Sequence, residues 1–168
     1  MRRKDREVTD FEELIAIMKK CDVCRIALND SGYPYILPLN FGLAVKDGSR
    51  AELYFHGASE GTKYELMRQD SRAGFEMDCG HELRCGEDNC SCTMDYESVI
   101  GRGHIEMVPE EEKLAALRIL MEHYREGDFP FNPTVVAKTR VFKLVVEQMT
   151  GKIHGKKRRS HAEQKKQK

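Results

Sequence analysis

The run Tyr54-Phe55-His56-Gly57-Ala58-Ser59-Glu60-Gly61-Thr62-Lys63 constrains this chain more than any other stretch, because it passes from an apolar, β-like segment through small residues into a helix-like one. The start of a helix has N–H groups without intrahelical acceptors and carries a positive partial charge, so an anion such as a phosphate is favoured there. His56 closes the strand and Lys63 opens the helix, which sets an imidazole and an ammonium beside those amides. The pattern is not a P-loop, since the order G-x-x-x-x-G-K-[ST] is missing, nor is it the G-x-G-x-x-G of a dinucleotide fold. An ordinary strand-to-helix turn with a solvated lysine would use the same residues, and the local sequence leaves both readings open.

A chain of 168 residues fits one domain with a sizeable core and needs no staples. No apolar run is long enough to span a bilayer, and no apolar segment follows Met1-Arg2-Arg3-Lys4-Asp5-Arg6-Glu7 as it would in a secretory signal. A soluble cytoplasmic protein is expected, and with it six cysteines that are thiols or metal ligands rather than a disulfide framework. The formal net charge is zero but unevenly spread: residues 152–168 hold eight Lys or Arg against the single acid Glu163, and the remainder is acidic by seven charges. An acidic body does not attract nucleic acid, so any such partner would have to use Lys156-Lys157-Arg158-Arg159 and the lysines beyond. The favoured reading of 154–168 is a disordered, solubilising tail.

Thr9-Asp10-Phe11-Glu12 is a capping-box pattern that predicts a helix over about Asp10 to Lys20 with Thr9 as its cap. Val23 to Leu28, the turn Asn29-Asp30-Ser31-Gly32 and Tyr35 to Phe41 read as a β-hairpin, with Pro34 and Pro38 forcing its second strand to an edge or a bend. Strands are further predicted over Ala51 to His56, Arg72 to Met77, Tyr96 to Val108 and Thr139 to Glu147, with Gly101 and Gly103 marking a bend in the third of these. Helices are predicted over Thr62 to Gln69 and from Pro109 to about Arg125, the latter packing Leu114, Leu117, Leu120, Met121 and Tyr124 on the body. Cys79 to Asp95 reads as a long polar loop, and Thr150-Gly151-Lys152 as the close of the fold. Five or six strands with few, separated helices point to a mainly β, antiparallel α+β barrel.

In their order and spacing, several segments resemble the nitroimidazole-resistance branch of the pyridoxamine 5'-phosphate oxidase-like flavoproteins. They are Met1 to Glu7, Gly32-Tyr33-Pro34-Tyr35, Pro38-Leu39-Asn40-Phe41-Gly42, Leu53 to Ala58 with Gly61 and Lys63, Tyr96-Glu97-Ser98-Val99-Ile100-Gly101, and Thr150-Gly151-Lys152. The resemblance covers about residues 1–153. It implies a six-stranded split β-barrel with a few peripheral helices, a homodimer, and FMN in clefts between the two subunits. By the same resemblance His56 and Lys63 hold the FMN phosphate with the backbone of Gly61 and Thr62, while Pro38, Leu39 and Asn40 run along the isoalloxazine edge. Ser98 and Val99 line the same cleft, and Arg140 reaches it across the dimer interface. The implied activity is that of an FMN-dependent oxidoreductase, nitroreductase-like, passing two electrons from a reduced nicotinamide or another donor to a small-molecule acceptor. No serine triad or carboxylate pair argues for hydrolysis.

Two other classes remain to be weighed: a flavin- or haem-binding module for storage or sensing without turnover, and a zinc-stabilised regulator with a basic arm. Cys79, His81, Cys85, Cys90 and Cys92 lie within fourteen residues, but their irregular spacing lacks the paired knuckles of structural zinc sites, so no metal is assigned and the five stand as low-weight candidate ligands. Cys21-Asp22-Val23-Cys24 has redox or knuckle spacing, yet a strand rather than a helix follows it, so core packing is the better reading for Cys24. His81 and His104 are candidates for contact with substrate or with the haem that some split-barrel relatives bind, set against plain surface or core roles.

Overall fold

The computed structural model describes residues 3–86 and 91–155. In chain order these form β1 (Glu7–Val8), α1 (Phe11–Met18), β2 (Cys24–Asp30), β3 (Tyr33–Leu39), β4 (Gly42–Lys46), β5 (Arg50–Gly57), α2 (Thr62–Gln69), β6 (Arg72–Arg84), β7 (Thr93–Met107), α3 (Lys113–Tyr124), α4 (Pro133–Lys138) and β8 (Arg140–His154). Cys90 and nearly all of the basic tail lie outside the described residues. No helix among the described residues is long and apolar enough to cross a membrane.

All pairings are antiparallel, in the order β3-β2-β6-β7-β8-β5-β4, with β1 added on β8. The two ends of this path, β3 and β4, are consecutive in the chain and separated only by Asn40 and Phe41. The sheet therefore curls until its edges meet, and they meet through a covalent link rather than a ladder, which makes it a split β-barrel. Pro34 and Pro38 lie on β3, an edge strand, where a missing N–H is tolerated. The resemblance implies six strands; β1 and β4 bring the described residues to eight.

The seam is clamped by the end of α3. The Phe41 N–H donates to Tyr124 Oη at 2.9 Å, the Tyr124 O–H donates to the Asp22 carbonyl at 2.8 Å, and Asn40 Nδ2 donates to the same carbonyl at 3.3 Å. The Phe41 and His123 rings lie 4.3 Å apart. Gly42 has no room for a side chain, since a Cβ there would come within 2.6 Å of the α3 backbone at Leu120. Inside the barrel, Phe41, Phe55, Ile26, Met77, Val99 and Phe142 are fully buried, with Phe55 stacked on Phe142 at 5.3 Å.

Several expectations are corrected. Asp10 rather than Thr9 caps α1, its carboxylate accepting from the Glu13 N–H at 2.9 Å; both residues can cap, and Asp10 keeps Glu13 at the third helical position. Within the expected loop Cys79 to Asp95, Cys79–Arg84 and Thr93–Asp95 are instead ribbon, in which β6 and β7 pair as far as Arg84–Thr93 after a bulge at Cys79–Glu82. Cross-strand pairing supplies what its polar composition does not announce. Thr150-Gly151-Lys152 lies within β8, paired to β7 on one side and to β1 on the other. On α3 the buried residues are Lys113, Ala116, Leu117 and Leu120, while Leu114 and Tyr124 are partly exposed. The bend expected at Gly101–Gly103 is present as a register shift between Arg102 and Gly103.

On the outer face His104 lies between two carboxylates, with Nδ1 2.9 Å from Glu147 and Nε2 3.0 Å from Glu106. Hydrogen bonding to Glu147 first, then to Glu106, raises its pKa above the ordinary histidine value. A histidine with a raised folded pKa stabilises the fold fully below its ordinary pKa, and that share is lost as pH rises through the raised value. Thermal melts from pH 6 to 8 are expected to show a His104-dependent fall in stability with rising pH. His104→Gln should flatten that slope, and an unchanged slope would remove the assignment. The effect is small, because the site is solvent-screened.

Candidate functional site

β5 ends at Gly57, α2 begins at Thr62, and β8 begins at Arg140, which pairs with Gly57. This junction brings His56, Lys63 and Arg140 around the uncapped N-terminus of α2. Gly61 takes φ 138°, a conformation that favours glycine, and its carbonyl accepts from the Tyr64 N–H at 3.0 Å. No side chain caps the helix, so its first amides remain available.

Lys63 Nζ lies 4.8 Å and Arg140 Cζ 5.1 Å from the centroid of the Tyr64 ring. That ring meets Phe142 edge-on at 6.1 Å, which ties the junction to the core. A Cβ built on Gly57 would come within 2.8 Å of Lys63 Nζ and 2.9 Å of Tyr64 Oη, so two donors pack against the glycine where a side chain would collide with both. Partial burial first, and the Lys63 ammonium second, push the His56 pKa below its ordinary value. Among the described residues no carboxylate lies within ion-pair distance of His56, Lys63 or Arg140. Two like charges and a destabilised imidazolium crowd one corner without a counter-ion.

The corner separates two clefts. One, of about 720 Å³, is lined by Glu60, Gly61, Thr62, Tyr64, Glu65, Ile105, Met107 and Arg140 among others. The other, of about 360 Å³, is apolar and runs from His56 between α3 and the segment leading into α4, with Leu117, Leu120, Phe129, Phe131 and Val136 on its walls.

Of the residues singled out from the sequence, His56, Gly61, Thr62, Lys63 and Arg140 come together within this one chain. Pro38 and Leu39 end β3 at the seam and Asn40 follows them, and the last β4–β5 pair, Gly42–Tyr54, stops two residues short of both Asn40 and His56. Ser98 and Val99 do not join the cluster. They lie nine and eight residues before Met107 on β7, roughly 30 Å along an extended strand. Val99 faces the barrel interior and is fully buried, while Ser98 lies on the outer face with Ile100. Strand alternation puts adjacent side chains on opposite faces, so the two cannot both line an external cleft with their side chains.

The cysteines require a correction. Cys85 and Cys92 are joined as a disulfide, not held as thiols or ligands, because continuing the β6–β7 register one step past Arg84–Thr93 sets them directly opposite. Cys21 and Cys24 are buried, and burial pushes both thiols up, so neither is set up as a nucleophile. Cys79 is half-buried near the Ile17 carbonyl, His81 pairs with Asp78 at 2.5 Å, and Cys90 is outside the described residues. Among the described residues no three His, Cys, Asp or Glu side chains converge as a metal centre.

The sequence profile of the pyridoxamine 5'-phosphate oxidase family matches residues 10–153. The chain belongs to this family. A solved structure of a candidate 5-nitroimidazole antibiotic resistance protein from Bacteroides thetaiotaomicron is 34% identical, with TM-score 0.74 over 88% of this chain and 86% of that one. Two more distant structures share the split barrel. The flavocytochrome Anf3 from Azotobacter vinelandii has 19% identity and TM-score 0.76 over 93% of this chain and 72% of its own, and an FAD and haem binding protein from Mycobacterium smegmatis has 18% and 0.76 over 96% and 80%. No curated protein matches the sequence.

Proposed function

We propose that this member of the pyridoxamine 5'-phosphate oxidase family is an FMN-dependent oxidoreductase, nitroreductase-like, passing two electrons from a reduced nicotinamide or a similar donor to a small acceptor. The observation that carries the reading is the uncompensated basic corner at Gly57, where His56, Lys63 and Arg140 lie about the open N-terminus of α2 and Lys63 Nζ and Tyr64 Oη converge on the glycine. That donor set suits a phosphate: an ammonium, a guanidinium and free backbone amides, none of them ion-paired with Glu60 or Glu65, which border the same cleft. FMN held there would supply the two-electron chemistry. The chain's own part is to anchor the phosphate and to offer the seam residues Pro38 and Leu39, at the end of an edge strand, and Asn40 just beyond it, to the ring.

Ser98 belongs to this reading only if a second copy supplies it. The outer sheet face carries rows Pro38–Arg25–Glu76–Ile100 and Ile36–Ala27–Gly74–Arg102, with Ile36 59% and Ile100 48% exposed above the small residues Ala27 and Gly74. Such a face suits a homodimer in which the Ser98 region of one protomer approaches the phosphate corner of the other. Sedimentation should find a dimer, and Ile100→Asp should yield monomers that no longer retain FMN; a native protein that sediments as a monomer while still binding FMN would sink the two-copy arrangement.

Titration of the purified protein with FMN, followed by anaerobic addition of NADH or NADPH, tests the whole reading. Saturable binding and bleaching of the flavin absorbance are expected. Absence of binding ends the proposal, and binding without reduction by any donor would favour a cofactor-holding module.

A further inference from the structure

We propose that Tyr64 is a further phosphate-binding residue, its buried hydroxyl donating to the same anion that Lys63 and Arg140 hold. This rests on the flavin-phosphate reading and adds a donor that the sequence patterns do not contain. Tyr64 is only 9% exposed, and among the described residues its oxygen has no hydrogen-bond partner. A buried O–H without an acceptor is disfavoured and uncommon in native proteins, so its persistence calls for a reason. The surroundings supply one. Tyr64 Oη and Lys63 Nζ converge on Gly57, at 2.9 and 2.8 Å from where a Cβ would stand, Tyr64 borders the cleft that Gly61, Thr62 and Arg140 line, and the Arg140 guanidinium packs on the same ring.

Phe142 holds the ring from its edge, so the oxygen is aimed by the core rather than by chance of a surface rotamer. Burial raises the phenol pKa, with Arg140 pulling weakly the other way, which keeps the group protonated and able to donate. A phosphate monoester presents three terminal oxygens, enough for the ammonium, the guanidinium and the hydroxyl to have separate acceptors. A flavin without the phosphate offers this hydroxyl nothing, so Tyr64 would help set the preference for FMN over riboflavin.

Tyr64→Phe deletes only the oxygen and keeps the ring contacts. Because it removes an unsatisfied buried group, the unliganded variant should melt at the same temperature as the native protein or higher. FMN should bind it roughly tenfold more weakly, riboflavin should bind it unchanged, and the phosphorus NMR resonance of bound FMN should move. Gly57→Ala, which pushes a methyl group against both Lys63 Nζ and Tyr64 Oη, should weaken FMN in the same selective way. The inference is overturned if Tyr64→Phe leaves FMN affinity intact while Lys63→Ala reduces it, or if FMN and riboflavin weaken alike. Should Lys63→Ala also leave FMN binding untouched, the phosphate lies elsewhere and the functional reading falls with it.

Discussion

Lys63→Ala is expected to lower FMN affinity ten- to a hundredfold, since a charge-assisted contact to phosphate contributes about 1.5–3 kcal/mol. The ammonium lies against Gly57, in the first turn of a helix whose first amides are uncapped by any side chain, and no carboxylate among the described residues is ion-paired with it. Arg140 stays in place in this variant, so a double change with Arg140→Ala should weaken binding further. Flavin fluorescence titration reads both. Riboflavin serves as the control, because a loss confined to the phosphorylated flavin reports the anion contact and not a disturbed cleft. Unchanged FMN affinity in the single variant would remove the phosphate from this corner.

Phe142→Ala should be the most damaging single truncation in the core, at about 3–5 kcal/mol. The ring is fully buried, stacks on Phe55 at 5.3 Å and meets Tyr64 edge-on at 6.1 Å, so its removal opens a cavity between the barrel wall and the candidate site. For a domain of this size the melting temperature should drop by roughly 10 °C or more. Flavin affinity should also fall, because Tyr64 loses the contact that aims it. Urea unfolding with and without FMN separates the two effects. A loss below about 1 kcal/mol would mean that the surroundings collapse into the space and that the ring does not brace the site.

The parts of this molecule that declare themselves in sequence are those set by neighbours in the chain. The α2 helix falls at Thr62–Gln69 as predicted, because small residues end the strand and Gly61 opens the helix. The edge placement of β3 follows from Pro34 and Pro38 in the same way. Where two residues offer the same chemistry, as Thr9 and Asp10 do at the α1 cap, local reasoning misses by one. The short α4 was signalled by Asn132 as cap and Pro133 at its first position, but six residues give little periodicity to detect.

The β6–β7 ribbon was illegible for a different reason. Its pairing depends on residues brought together by register, and so does the Cys85–Cys92 bridge. The basic corner was half visible: His56 and Lys63 follow from the strand-turn-helix run, whereas Arg140 joins them through the pairing of Gly57 with the start of β8. The orphaned hydroxyl of Tyr64 is a property of burial, and nothing in the letters around it discloses that. The opposite facing of Ser98 and Val99, by contrast, was available from alternation alone.

β8 is the last described strand, yet it is paired to β7, to β5 and, across most of the chain, to β1. During synthesis the earlier strands must therefore wait for residues 140–154 to leave the ribosome before the wall can form, so folding is late and dominated by distant contacts. Until then β5 and β7 each present a bare margin to the solvent, the state in which this polypeptide is most exposed to mispairing with its neighbours.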